Sequence, residues 1–81
     1  MDIESKMMHL LVDRFQIDNN LIESGAEFKK DLGLDSLDLM ELVIELENAF
    51  NIQISDEDAA SILTFADAVN CVKGGMHRQK G

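Results

Sequence analysis

The run from Leu37 to Phe50, LDLMELVIELENAF, constrains this chain more than any other part of it. On a helix of about 3.6 residues per turn, Leu39, Leu42, Val43, Leu46 and Phe50 share one broad face, as a helix packed on a core requires. Leu37, Met40 and Ile44 fall on a second face, bordered by Glu41, Glu45, Glu47 and Asn48. A single core accounts for the first stripe and leaves the three residues of the second in water. Apolar side chains exposed inside a charged frame are expected to form a docking surface.

The residues just before this run, Asp31-Leu-Gly-Leu-Asp35-Ser36-Leu-Asp38, read as the start of the same helix. Gly33 permits a tight or left-handed turn. Asp35 or Ser36 can accept hydrogen bonds from the free amides of the first turn, and Asp38 adds an acid where the helix dipole is positive. Ser36 is thereby expected at an exposed helix N-terminus. On local sequence alone a role as a simple N-cap is as good a reading as a reactive one.

The rest of the chain supplies three further helices. Asp2 to about Phe15 carries Ile3, Met7, Leu10 or Leu11, and Phe15 at helical spacing. From Leu21 to Leu34 the periodicity fails. A long loop is predicted there, pinned by Leu21, Ile22, Phe28, Leu32 and Leu34, and a long loop in a compact domain is usually functional. Asn51-Ile-Gln-Ile54 is expected to be a connector rather than a strand, because nothing else in the chain offers a strand to pair with it. Ser55-Asp-Glu-Asp58 resembles a capping box and starts a short helix to about Ile62; Thr64-Phe-Ala-Asp67 repeats the device. The last helix, with Phe65, Ala68, Val69 and Val72 inward, is predicted to end at Gly74-Gly75. The expected fold is all-α, a small four-helix bundle of three main helices and one short helix, with a long loop between helices 1 and 2. Residues 1–73 form the domain, and 74–81 a short, basic, flexible tail.

The string DLGLDSLDLMELVIELENAFNIQI, followed by SDEDA and TFADAV, resembles the acyl carrier protein family over about residues 3–73. A bare D-S-L would be weak, but here D-L-G precedes it, D-x-x-E-L follows, and F-x-I-x-I comes downstream in order. The resemblance implies that Ser36 carries a 4′-phosphopantetheine arm, moved from coenzyme A by a phosphopantetheinyl transferase. It further implies that acyl-loading and acyl-processing enzymes with basic patches dock on Leu37, Met40 and Ile44, framed by Asp35, Asp38, Glu41, Glu45 and Glu47. By matching position, Phe28, Leu46, Ile54, Ala59, Ile62 and Ala68 would line the space into which an acyl chain retreats.

Four departures from the family pattern bear on the cargo. Ser55 stands where many fatty-acid carriers have proline, Phe15-Gln16-Ile17 replaces Leu-Gly and an aliphatic residue, Lys29-Lys30 replaces a frequently acidic pair, and Cys71 replaces a common aromatic. None touches Ser36 or the second stripe. The resemblance therefore leaves open a carrier for fatty-acid or polyketide-type synthesis and a specialised carrier of an aminoacyl or hydroxyacyl unit. An unmodified acidic adaptor is the remaining reading.

Charge narrows the partners. Of a formal net −9, ten carboxylates and no basic side chain fall between Asp31 and Val72. Nucleic-acid phosphates would be repelled, whereas partners with basic patches would be steered inward. A serine nucleophile needs a base and an orienting partner; the histidines are His9, in the first helix, and His77, in the tail, and neither belongs to a recognisable catalytic motif. No catalytic activity is expected, and no dedicated metal site, since the calcium-loop pattern fails from Asp31 onward. The single cysteine, Cys71, allows no internal disulfide and is expected to pack. With no signal-peptide pattern and no apolar run of membrane-spanning length, the expectation is a cytoplasmic monomer.

Overall fold

The computed structural model describes residues 2–78. Four helices follow one another: α1 (Ile3–Phe15), α2 (Ser36–Phe50), α3 (Asp56–Ala60) and α4 (Phe65–Arg78), with a single 3₁₀ turn at Asn19–Leu21. Among the described residues there is no β-strand, only an isolated bridge between Glu27 and Thr64. The expected all-α bundle with a long first loop is the fold observed.

Each helix starts where its sequence supplies an oxygen for an orphan amide. Asp2 accepts the Ser5 amide at 2.7 Å at the head of α1. Ser55 Oγ accepts the Asp58 amide at 3.1 Å and starts α3. At α4, Thr64 Oγ1 accepts the Asp67 amide at 3.1 Å while Asp67 Oδ2 accepts the amides of Thr64 and Leu63 at 3.0 and 3.1 Å. Both α1 and α2 end on a residue in the left-handed region, Gln16 at φ 54° and Asn51 at φ 55°.

The core forms where the helices' apolar faces meet the loop. Met7 and Leu11 of α1, Leu42 and Leu46 of α2, and Ala68 and Val72 of α4 are fully or almost fully buried, and α4 packs against both α1 and α2. Burying each large aliphatic side chain is worth about 1.5–3 kcal/mol. The loop after the 3₁₀ turn shares this core through Ile22, Ala26, Phe28, Leu32 and Leu34; Leu21, expected among its anchors, is half exposed. Three backbone hydrogen bonds fasten the loop to the entry of α4: Phe28 N to Leu63 O, Phe65 N to Ala26 O, and Ala66 N to Ser24 O, each 3.0 Å. It is thus a fixed arch rather than a linker.

The C-terminal boundary differs from expectation. Gly74 and Gly75 do not end the last helix; α4 runs through both to Arg78. Gly75 is buried, and a Cβ placed on it would stand 3.0 Å from Ile52 Cδ1 and 3.3 Å from Ile52 Cβ. Glycine costs roughly 1 kcal/mol in a helix interior, and here it lets the helix approach the connector after α2. The rest of the expected tail, residues 79–81, lies outside the described residues.

Candidate functional site

Asp35, not Ser36, caps α2. Asp35 Oδ1 accepts the Asp38 amide at 2.9 Å, and Asp38 Oδ2 accepts the Asp35 amide at 3.1 Å, a reciprocal capping box. Ser36 follows as the first helical residue, exposed to solvent, with its hydroxyl outside the box. Gly33, at φ 74°, makes the left-handed turn that brings the chain in. Leu34 is buried immediately before the cap and Leu39 is half-buried at the fourth helical position, the two places of a hydrophobic staple. The entry to α2 is consequently fixed by backbone turn, reciprocal cap and apolar anchor together, with the serine left facing water.

The second stripe of α2 stays exposed. Leu37 retains 73%, Met40 64% and Ile44 53% of its accessible surface, whereas Leu42 and Leu46 on the opposite face retain almost none. Leu37 adjoins Ser36, and the stripe continues along α2 from there. The acids around it divide into two sets. Asp35 and Glu41 are exposed, and Asp38 is half-buried. Glu45 lies 3.8 Å from Arg14 of α1, an exposed pair of little energetic weight. Glu47 is committed inward: its Oε2 accepts the Ile54 amide at 2.8 Å and holds the connector. That role was not legible in the sequence, because acid and amide are seven residues apart on either side of the helix end.

The six positions matched to an acyl-chain lining lie in three settings among the described residues. Phe28, Ala59 and Ile62 border a cavity of ≈ 410 Å³ between the loop, α2 and α3. Ile54 borders a different cleft of ≈ 670 Å³, with Ile52 and Gly75. Leu46 and Ala68 lie in the core with no exposed surface. Sequence reasoning missed Leu39, Leu63, Lys29 and Lys30, which border the first cavity as well. The signal available for Leu39 was its place one helical turn after Ser36.

Among the described residues no helix is long and apolar enough to cross a membrane, and no cluster of three or more His, Cys, Asp or Glu side chains could hold a metal ion. Cys71 is half-buried on α4 and carries no disulfide.

Two comparisons bear on this geometry. The family described as "Phosphopantetheine attachment site" matches residues 5–72. A crystal structure of an acyl carrier protein from Thermotoga maritima superposes with a TM-score of 0.83 at 25% sequence identity, covering 94% of this chain and 88% of that one. The family match takes in most of α1, the loop, α2 and α3 and the first eight residues of α4, and the structural match reproduces their arrangement. The chain therefore belongs to the acyl carrier protein family, the helical carrier domains to which a 4′-phosphopantetheine group is attached.

Proposed function

We propose that the chain holds acyl intermediates of fatty-acid or polyketide-type synthesis on a 4′-phosphopantetheine arm rooted at Ser36, and presents them to enzymes in the cytoplasm without catalysing a reaction itself. One observation carries the assignment of Ser36: it is exposed on the first turn of α2 while Asp35 does the capping, so the hydroxyl is available without loss of the cap.

The surroundings fit a phosphodiester. The capping box engages the amides of Asp35 and Asp38, and Leu39 N donates to Asp35 O at 3.0 Å. The Ser36 and Leu37 amides stand at the positive end of the helix, where an anion gains roughly 0.3–1 kcal/mol. That offsets part of the repulsion from Asp35 and Asp38. The arm, when attached, supplies a terminal thiol that holds the acyl group as a thioester. This chain's residues orient the root and mark the face to which partners come.

The exposed stripe Leu37, Met40 and Ile44 is the docking face of this reading, with Asp35, Asp38, Glu41 and Glu45 as its acidic frame. Long-range attraction brings a basic patch to the frame, and burial of the stripe then holds it. A phosphopantetheinyl transferase is the first such partner, and acyl-loading and acyl-processing enzymes are the later ones.

The test is intact mass before and after incubation with coenzyme A and a broad-specificity phosphopantetheinyl transferase, with Ser36→Ala alongside. Gain of one phosphopantetheine by the parent and none by the variant is the expected outcome. A folded parent that gains nothing would leave the acidic adaptor in its place.

A further inference from the structure

The ≈ 410 Å³ cavity beside α2 is walled by Phe28, Leu39, Ala59, Ile62 and Leu63, and its rim carries Lys29 and Lys30. Its size is at the small end of ligand pockets, about 300–1,000 Å³. Leu39, which lines the cavity, is three residues beyond Ser36 on the same helix, a rise of about 4.5 Å along its axis.

The rim is electrostatically unlike the surface around it. No basic residue occurs between Asp31 and Val72, yet two exposed lysines stand at this mouth. Neither takes part in an ion pair or side-chain hydrogen bond with any described residue. Glu27 is the one acidic residue in the lining, against the two lysines. Asp31, the nearest acid in the following sequence, is turned back on the loop, where its Oδ2 accepts the Glu27 amide at 2.8 Å.

A carbon-walled cavity with solvated cations at its mouth suits a chain that is apolar along its length and anionic at its end. The methylenes are buried against Phe28 and Leu39. The charge stays at the hydrated rim and avoids the penalty of entering a low-dielectric interior. An uncharged chain gains only the burial, and a cationic end meets like charge. We propose that this cavity selects acyl groups ending in a carboxylate, with Lys29 and Lys30 as the determinants of that preference. The inference rests on the arm being attached at Ser36 and names the class of cargo it carries.

The experiment loads the full chain from adipoyl-coenzyme A and from hexanoyl-coenzyme A with a phosphopantetheinyl transferase, and confirms both products by intact mass. Thioester cleavage by hydroxylamine is then timed, each rate divided by that of the same acyl-coenzyme A to remove intrinsic reactivity. Adipoyl is expected to be cleaved roughly two- to fivefold more slowly than hexanoyl, the effect of one or two solvent-exposed ion pairs. In Lys29→Gln/Lys30→Gln the ratio should fall to one while the hexanoyl rate is unchanged, and in Lys29→Glu/Lys30→Glu it should invert. Equal normalised rates in the parent overturn the proposal, and would assign the lysines to an acidic partner surface instead. Failure to load either group at all would refute the attachment at Ser36, which separates the two conclusions.

Discussion

Asp35 and Asp38 hold each other's backbone amides across the first turn of α2, at 2.9 and 3.1 Å, with Ser36 between them and bound to neither carboxylate. Two functions that a serine at a helix start could combine are thereby divided. The aspartates make the cap, and the serine hydroxyl takes no part in it.

Substitutions at these neighbours should separate cleanly. Asp35→Ala removes the cap and is expected to cost about 1 kcal/mol of stability, read as a lower urea midpoint at unchanged slope. Ser36→Ala should stay within about 0.5 kcal/mol of the parent and yet accept no phosphopantetheine. A Ser36→Ala variant as unstable as Asp35→Ala would show that the serine is structural after all.

Charge placed on the exposed stripe should act on encounter rather than folding. Met40→Glu and Ile44→Glu alter side chains that already face water, so stability is expected to move by no more than about 0.5 kcal/mol. The rate of phosphopantetheine transfer should fall roughly tenfold or more, as for loss of an interface anchor. Raising salt from low ionic strength toward about 0.15 M should slow transfer to the parent as well, because steering is screened.

Glu47 is expected to behave differently from the other acids of α2. Glu47→Ala leaves the Ile54 amide without its acceptor, at a cost of about 1–3 kcal/mol, with Gln recovering part of it. Glu41→Ala, on an exposed position, should be nearly silent in the same denaturation series.

Acid should weaken the entry to α4. The amides of Thr64 and then Leu63 donate to the Asp67 carboxylate and hold its pKa below the usual value, with smaller help from the Thr64 hydroxyl. A depressed carboxylate contributes stability above the unfolded value of about 3.9, and loses it as pH falls through the folded value. Asp67→Asn, which cannot titrate, should be less stable than the parent by a constant amount near neutral pH. That gap should narrow below about pH 4, as read from thermal midpoints at a series of pH values. A gap independent of pH down to about 2 would exclude the ionised carboxylate as the stabilising form.

The parts of this molecule that were legible beforehand are those whose cause lies within a few residues. Two apolar stripes on one helix are a local pattern, and the exposed Leu37, Met40 and Ile44 bear it out. The caps at Ser55 and Thr64 likewise depend on a partner three residues away. Contacts between distant segments were not readable. Glu47 looked like one more surface acid until Ile54 folded back on it, and the set Phe28, Leu46, Ile54, Ala59, Ile62 and Ala68 divides between a cavity, a separate cleft and the core. A glycine pair near the end of an apolar run is a sound stop signal, and it misled because Ile52, more than twenty residues earlier, rewards a helix with no side chain there.

That close approach of Gly75 to Ile52 also ties the end of α4 to the connector after α2. Two successive glycines would unwind an isolated helix end, so the last turns of α4 keep their form through what they rest on. Ile52 N in turn donates to Glu47 O at 3.1 Å. Amide exchange should accordingly find the connector and the end of α4 exposed to deuterium at one common rate, as a single cooperative unit less protected than the α1–α2 core. Gly75→Leu would push this unit apart and raise its exchange rate, leaving the amides around Leu42 and Leu46 slow. The far end of α2 from Ser36 would then be the yielding end, free to breathe while the capped start of the helix stays fixed.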